Sequence, residues 1–224
     1  MAVDVRSKTV DMSRQLRDFN AVAARWDQEP RRVQLASAVS EAIIRNAGPS
    51  QAMRVLDFGA GTGLVTLALA PLVQQMVAAD SSQGMLEQLT AKLADAGITN
   101  VLPFLLDHAG PVSLPGPFDL IVSSMTMHHI ADPGTLFGLF HAAMRSGGQL
   151  CIADLESEDG SFHDDPTGIY HNGFSVAEME DYFTKTGFVN VRTIQVTSVK
   201  KGREGTAREY PVNLTLGTAQ FSWD

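Results

Sequence analysis

The chain has 224 residues, is 44% hydrophobic and carries a formal charge of −8, with a sequence pI near 5.2. That size and apolar content fit one large domain with a proper core and leave two full domains cramped. The acidic balance argues against nucleic acid as the main partner, because phosphate binding needs a basic face, and the short Arg31-Arg32 and Lys200-Lys201 clusters do not reverse it.

A single cysteine, Cys151, excludes a disulfide framework and a cysteine-based metal cluster and suits a reducing cytoplasm. No apolar N-terminal stretch reads as a secretion signal. The uncharged run Phe58 to Ala79 superficially resembles a membrane span. Three glycines, Pro71 and Gln74-Gln75 interrupt it, so it reads as a buried turn, helix and strand.

Residues 1 to 12 show no periodicity and are expected to fray. Leu16, Phe19, Ala23 and Trp26 recur at three- and four-residue steps and predict a helix over Ser13 to Trp26 with one apolar face. After Pro30, the positions Val33, Leu35, Ala38, Val39, Ala42 and Ile43 predict a second helix running toward Gly48-Pro49. Both helices precede the first strand, so residues 1–48 are expected to cap the core formed by residues 49–224. Strands are expected at Met53 to Asp57, Gln75 to Ala79, Val101 to Leu106, Phe118 to Ser123 and Leu150 to Ala153. Helices are expected from Leu64 to Ala70, after Ser81 or Ser82 through Met85, Leu86, Leu89 and Leu93, and from Asp132-Pro133 to Arg145. This alternation implies a doubly wound, mostly parallel α/β sheet that binds ligands at the strands' carboxyl ends, where Asp57, Asp80, Asp107, Ser123 and Asp154 fall. Beyond Leu155 to Gly173, an irregular stretch too long for an ordinary connection, Ser175-x-x-Glu178 opens a last helix that Gly187 closes. Phe188 to Val199 and Tyr210 to Leu216 alternate as two strands joined by a charged hairpin, making a sheet of seven with an antiparallel C-terminal strand.

The stretch Val55-Leu56-Asp57-Phe58-Gly59-Ala60-Gly61-Thr62-Gly63, followed by the Leu64 helix, is a strand, a glycine turn and a helix, which is a nucleotide-binding corner. A dinucleotide site would need its third glycine where Leu64 stands. The carboxylate of Asp57 would repel a pyrophosphate and attract a ligand bearing an ammonium and a sulfonium. An NAD-dependent oxidoreductase is therefore disfavoured and S-adenosylmethionine favoured. Asp80 lies one βα unit later, where an acid meets ribose hydroxyls.

Asp57 to Gly63 resembles the first motif of class I S-adenosylmethionine-dependent methyltransferases. Phe118 to Ser123 with Met127-His128-His129-Ile130, and Arg145-Ser146-Gly147-Gly148-Gln149-Leu150, look like the family's fourth strand with its exit and the turn before the fifth. Phe19 to Asp27 is similar to an N-terminal helix of small-molecule and quinone-ring methyltransferases, and the likeness spans roughly residues 19 to 195. The resemblance implies a cofactor site of Asp57, Gly59, Ala60, Gly61, Gly63, Asp80, Ser81, Met85, Asp107, His108, Ser123 and Trp26. Within it Asp80 holds the ribose, Met85 packs on adenine and Asp107-His108 meets the adenine edge. His128 or His129 is the candidate base, needed only if the acceptor loses a proton.

The expected activity is methyl transfer from S-adenosylmethionine, leaving S-adenosylhomocysteine, to O, N or C of a small organic metabolite; the alternative is a non-catalytic module that binds the same cofactor. No Asn/Asp-Pro-Pro-Tyr/Phe signature follows the fourth strand, where Ser123-Ser124-Met125-Thr126 stands, and no Pro-Cys nucleophile exists. Residues 155–173 are the expected lid, with Tyr170 and His171 beside the acceptor and Trp26 as an apolar wall. His163, Asp164, Asp165, His171, Asp154 and Glu156 offer metal-ligand chemistry, but an acidic solvated loop is the reading taken and no metal is expected. The protein is expected to be a cytoplasmic monomer or homodimer without a membrane span.

Overall fold

The computed structural model describes residues 18–107, 113–202 and 207–221. Three apolar runs, β1 (Arg54–Phe58), β2 (Gln75–Asp80) and β4 (Phe118–Ser124), are buried almost throughout, as central strands of a parallel sheet must be. With β3 (Val101–Leu105) and β5 (Met144–Leu155) they pair in parallel. The long pair β6 (Phe188–Lys201) and β7 (Arg208–Ala219) completes seven strands in the order β3-β2-β1-β4-β5-β7-β6, with β7 antiparallel to both neighbours. This is the α/β sheet expected from the sequence, with its one reversed strand at the C-terminus.

Helices cover both faces. On one side α1 (Pro30–Ala47) and α2 (Leu64–Leu69) bury Val39, Ile43, Val65 and Leu69 against Val55, Leu120, Val122 and Leu214. Beside them α3 (Gln83–Asp95) sets Leu86, Leu89 and Leu93 against Ala60 and Ala78. On the other side α4 (Pro133–Ala142) and α5 (Val176–Lys185) bury Phe137, Phe140, Met179 and Phe183 on Leu56, Phe58, Val77 and Ile121. Each fully buried aromatic or aliphatic side chain of this kind stabilises the fold by about 1.5–3 kcal/mol.

Most helix ends follow the signals read from the sequence. Ser82, rather than Ser81, caps α3 by accepting from the Met85 N–H at 3.2 Å. Asp132 accepts from the Thr135 N–H with Pro133 in the first turn, and Ser175 and Glu178 form a reciprocal capping box.

Two expectations change. The described part of the expected N-terminal helix is a 3₁₀ segment, Asn20–Gln28. Its rise of about 2.0 Å per residue lets it reach further than an α-helix, and side chains at both its ends are tied to the body of the protein. The fourth helix stops at Ala142, not Arg145, because Met144 is buried and already opposes Phe118 in the sheet. Gly147, at φ +81°, falls inside β5 at a break in its register with β4.

The stretch 155–173 is irregular but tied down. Its base is closed by Glu158 N–H to Asn172 O (2.9 Å) and Phe174 N–H to Leu155 O (2.9 Å). The long β6–β7 pair grips it through Arg208 with Asp159, Lys201 with Asp164 (3.0 Å) and Ser161 with the Tyr210 hydroxyl (2.7 Å).

Gly63, at φ +85°, begins α2, and a Cβ there would lie 2.2 Å from Leu89 Cδ1. Gly63→Ala is therefore expected to cost at least roughly 1–3 kcal/mol, the range for a left-handed non-glycine residue, because the fully buried Leu89 must shift as well. A urea midpoint equal to wild type would show that the turn tolerates a side chain.

Candidate functional site

The glycine turn leaves β1 with Gly59, Gly61 and Gly63 all at positive φ (75°, 55° and 85°), a conformation that other residues adopt only with strain. Four of its N–H groups are consumed internally: Gly59 and Ala60 donate to Ala79 O (2.8 and 3.0 Å), Gly63 to Ala60 O (2.9 Å) and Gly61 to Asp80 Oδ2 (2.7 Å). A pyrophosphate needs such donors free and aimed outward. Here they stitch the turn to the end of β2 instead. A Cβ at Gly59 would strike the Thr126 side chain at 2.2 Å, whereas one at Gly61 meets nothing within 4 Å, so open space stands above the middle of the turn. Asp80 borders that space and accepts from the Ser82 N–H as well (2.8 Å). A turn with no protein side chain over its middle and a carboxylate beside it fits the adenosyl part of S-adenosylmethionine.

Asp57 does not face that space as a bare anion. It is 1% exposed and accepts from Thr66 Oγ1 at 2.6 Å. Burial lifts its pKa from 3.8 to about 7, with the neighbouring Asp80 charge pushing the same way against the Thr66 bond.

The 3₁₀ segment bridges the two walls of this corner. Asn20 Oδ1 accepts from Ser82 Oγ (2.8 Å) and the Gly84 N–H (2.7 Å), and Asp27 Oδ1 accepts from Thr62 Oγ1 (2.6 Å). Lys92 bonds both Asp27 Oδ2 and Thr62 O. Trp26 is half-buried, with the Arg32 guanidinium 3.8 Å over its ring and Phe19 at its edge.

Beyond β4 the chain turns at Met125, whose φ of +56° is strained for a long side chain, and enters a 3₁₀ turn, Met127–His129. This turn brings His128 against the 155–173 stretch. His128 is 2% exposed, and its Nδ1 lies 2.6 Å from Asp154 Oδ1. Burial would raise the Asp154 carboxyl, but the His128 ring and the N–H groups of Leu155 and His128 outweigh it and hold the carboxyl below its usual range. The ionised Asp154 can only accept, so Nδ1 carries a proton, and Nε2 is the ring atom left to accept when the ring is neutral. His129 donates from Nδ1 to Gly168 O (2.8 Å), and burial followed by the neighbouring His128 pushes its pKa down to about 4, which keeps it neutral. Its ring packs edge-on to Phe19, 5.2 Å between centroids, and His163 lies 4.9 Å from His128.

Other expected site residues have different settings. Ser123 is buried and donates to Phe58 O (2.8 Å), which ties β4 to β1 rather than facing the open space. Met85 is 2% exposed inside the first turn of α3, and Asp107 is exposed just past β3. His108 lies outside the described residues. Tyr170 and His171 donate backbone N–H groups to His128 O (2.9 and 3.2 Å), and His171 Nε2 is committed to Ile130 O (2.9 Å), so His171 fastens the 155–173 stretch to the β4 exit. Among the described residues, no three His, Cys, Asp or Glu side chains are arranged to hold a metal ion. Sequence reasoning passed over Asp154 as the partner of a histidine and Asn20, Asp27 and Lys92 as site residues. Only the strand-end position of Asp154 signalled its part.

A family model described as a methyltransferase domain matches residues 28–193. The chain belongs to this methyltransferase family. It is 29% identical over 185 residues to an uncharacterized methyltransferase of Schizosaccharomyces pombe, covering 76% of this chain and 64% of that one. It is 26% identical over 143 residues to the ubiquinone/menaquinone biosynthesis C-methyltransferase UbiE of a Shewanella species, covering 61% of this chain and 57% of that one. The chain thus spans less than two thirds of either relative's length. A crystal structure of a SAM-dependent methyltransferase from Aquifex aeolicus superposes with a TM-score of 0.67 at 20% identity, over 89% of this chain and 98% of that one, which shows a shared fold.

Because the folded methyltransferase holds the Asp57 proton to about pH 7 while the unfolded chain releases it near 3.8, this group turns against the fold as pH rises between those values. Asp57→Asn keeps an oxygen for Thr66 and removes the ionisation. Its stability is expected to improve relative to wild type from pH 4 to pH 7 and then level off, as read from urea midpoints. A difference independent of pH would mean that Asp57 is not buried as described.

Proposed function

We propose that the chain is an enzyme that transfers the methyl group of S-adenosylmethionine to an O, N or C atom of a small organic acceptor, and that His128 takes the proton this atom gives up. The buried Asp154–His128 pair, on the same sheet edge as the glycine turn, carries this reading. When bound, S-adenosylmethionine supplies a methyl carbon activated by sulfonium and leaves as S-adenosylhomocysteine. Asp80 accepts from the ribose hydroxyls, Met85 packs on the adenine, and Asp107 accepts from its amine. As the acceptor's new bond to carbon forms and the carbon–sulfur bond breaks, the acceptor's proton passes to His128 Nε2. Asp154 holds the ring in the tautomer that leaves Nε2 bare and stabilises the imidazolium that results. His129, neutral but weakly basic with Nδ1 committed to Gly168, is the poorer base. The chain acts as one unit, with the 3₁₀ segment Asn20–Gln28 as a cap and 155–173 as a lid, which together align the acceptor and exclude water, while α1 belongs to the core. The C-methyltransferase name of the Shewanella relative supports a small-molecule acceptor.

Incubation with labelled S-adenosylmethionine and a metabolite extract is expected to move label into the small-molecule fraction; binding without transfer would favour the non-catalytic module. His128→Ala should lower kcat by about 10²–10⁴-fold, the usual contribution of a positioned base, with S-adenosylhomocysteine affinity unchanged. A kcat within threefold of wild type would remove His128 from the reaction. Asp80→Ala should weaken S-adenosylhomocysteine binding by about 1.5–3 kcal/mol, the range for hydrogen bonds to a charged group. Calorimetry showing unchanged affinity in the folded variant would reject the ribose contact.

A further inference from the structure

Asp80 is aimed by two backbone N–H groups that belong to different elements. Its Oδ2 accepts from Gly61 in the glycine turn (2.7 Å) and its Oδ1 from Ser82 at the start of α3 (2.8 Å). The direction of the carboxylate is therefore set by where the turn and α3 stand relative to one another. The 3₁₀ segment, which runs alongside α3, is bonded to the same two elements. At its start Asn20 Oδ1 accepts from Ser82 Oγ (2.8 Å) and from the Gly84 N–H (2.7 Å). The Ser82 hydroxyl has a single hydrogen, which goes to Asn20 while its oxygen accepts from the Met85 N–H. Gly84 admits this contact, since a Cβ there would stand 3.2 Å from Asn20 Cα and Oδ1. Near its end Asp27 Oδ1 accepts from Thr62 Oγ1 (2.6 Å), the residue after Gly61, and Lys92 of α3 bonds both Asp27 and Thr62 O. Ser82 and Thr62 are 4% and 2% exposed, so a hydroxyl that lost its partner there would not be rehydrated without a shift of the backbone that carries it.

From this geometry we infer that the 3₁₀ segment is a strut that sets the direction of the Asp80 carboxylate, with Asn20 and Asp27 as positioning residues for the cofactor's ribose. The inference rests on the cofactor reading above. Neither residue has to touch the ligand. Removing either one lets the turn and the start of α3 move relative to each other, and a carboxylate held at one oxygen by each must turn with them. Hydrogen bonds to two ribose hydroxyls weaken steeply when their acceptor is misaligned. The loss falls on the Asp80 contact, so it should disappear when Asp80 is itself removed.

Calorimetric titration of S-adenosylhomocysteine into the full chain tests this, with wild type, Asn20→Ala, Asp27→Ala, Asp80→Ala and the two double variants that combine Asp80→Ala with each of the others. Asn20→Ala and Asp27→Ala are each expected to raise Kd at least fivefold in the wild-type chain and less than twofold in the Asp80→Ala chain. Asn20→Asp, which keeps an accepting oxygen, should bind within twofold of wild type. A residue that only stabilised the fold would cost the same factor in both chains, so equal losses would overturn the strut. It is also overturned if either variant binds like wild type while Asp80→Ala is weakened, or if Asn20→Asp loses as much as Asn20→Ala; in each of these cases the cofactor site stands. If wild type does not bind S-adenosylhomocysteine, or Asp80→Ala binds it as tightly as wild type, the cofactor reading fails and the strut fails with it.

Discussion

The structure depends on the turn from Gly59 to Gly63, where β1 must stop, reverse into α2 and still satisfy its backbone. It succeeds by spending its N–H groups on Ala79 O, Ala60 O and the Asp80 carboxylate. The side-chain-free backbone also sets the spacing of its neighbours. Thr126 of the β4 exit occupies the room that a Cβ on Gly59 would fill, and Leu89 of α3 occupies that of Gly63. The proposed cofactor corner, the β4 exit and α3 are thus registered on one five-residue loop. The polar character of its interior, with donors turned inward and a carboxylate at its rim, suits a cationic ligand better than a phosphate.

Two buried aspartates on this sheet edge show how partners, more than burial, decide ionisation. Asp57 and Asp154 are 1% and 2% exposed. Asp57 receives one hydroxyl and faces another acid, so desolvation prevails and it keeps its proton to about pH 7. Asp154 receives an imidazole and two backbone N–H groups, and the same desolvation is overcome. The first is a structural acid beneath the turn, and the second is a fixed anion beneath a histidine. One residue type thereby serves the fold in one place and the proposed proton transfer in the other.

The body and its covers are held by different forces. Apolar side chains on both faces fix the sheet, whereas the 3₁₀ segment and the 155–173 stretch are fastened largely by hydrogen bonds and ion pairs such as Asp159–Arg208 and Asp164–Lys201. Exposed pairs of this kind contribute about 0–1 kcal/mol each, so the covers belong to the low-stability part of the molecule and the sheet to its high-stability part. His128 lies where the two meet, so a rigid strand positions the proposed base beside a weakly held cover.

Periodicity and punctuation determined the sheet, its helices, the glycine turn and the reversed C-terminal strand, because buried parallel strands and helix caps are local chemistry written in consecutive residues. The same local signals placed Asp80 at the end of β2 and His128 after β4. They misjudged the 3₁₀ segment and the start of β5, since those depend on what the chain touches rather than on its own pattern. Which carboxylate holds which histidine was a tertiary decision: Asp154 and His128 are 26 residues apart and meet only because β4 and β5 are neighbours in the sheet. The Asp27–Thr62–Lys92 contact, spanning up to 65 residues, arises in the same way. Single polar residues that are far apart in sequence carry no period, and only the packed sheet edge brings them within hydrogen-bonding reach.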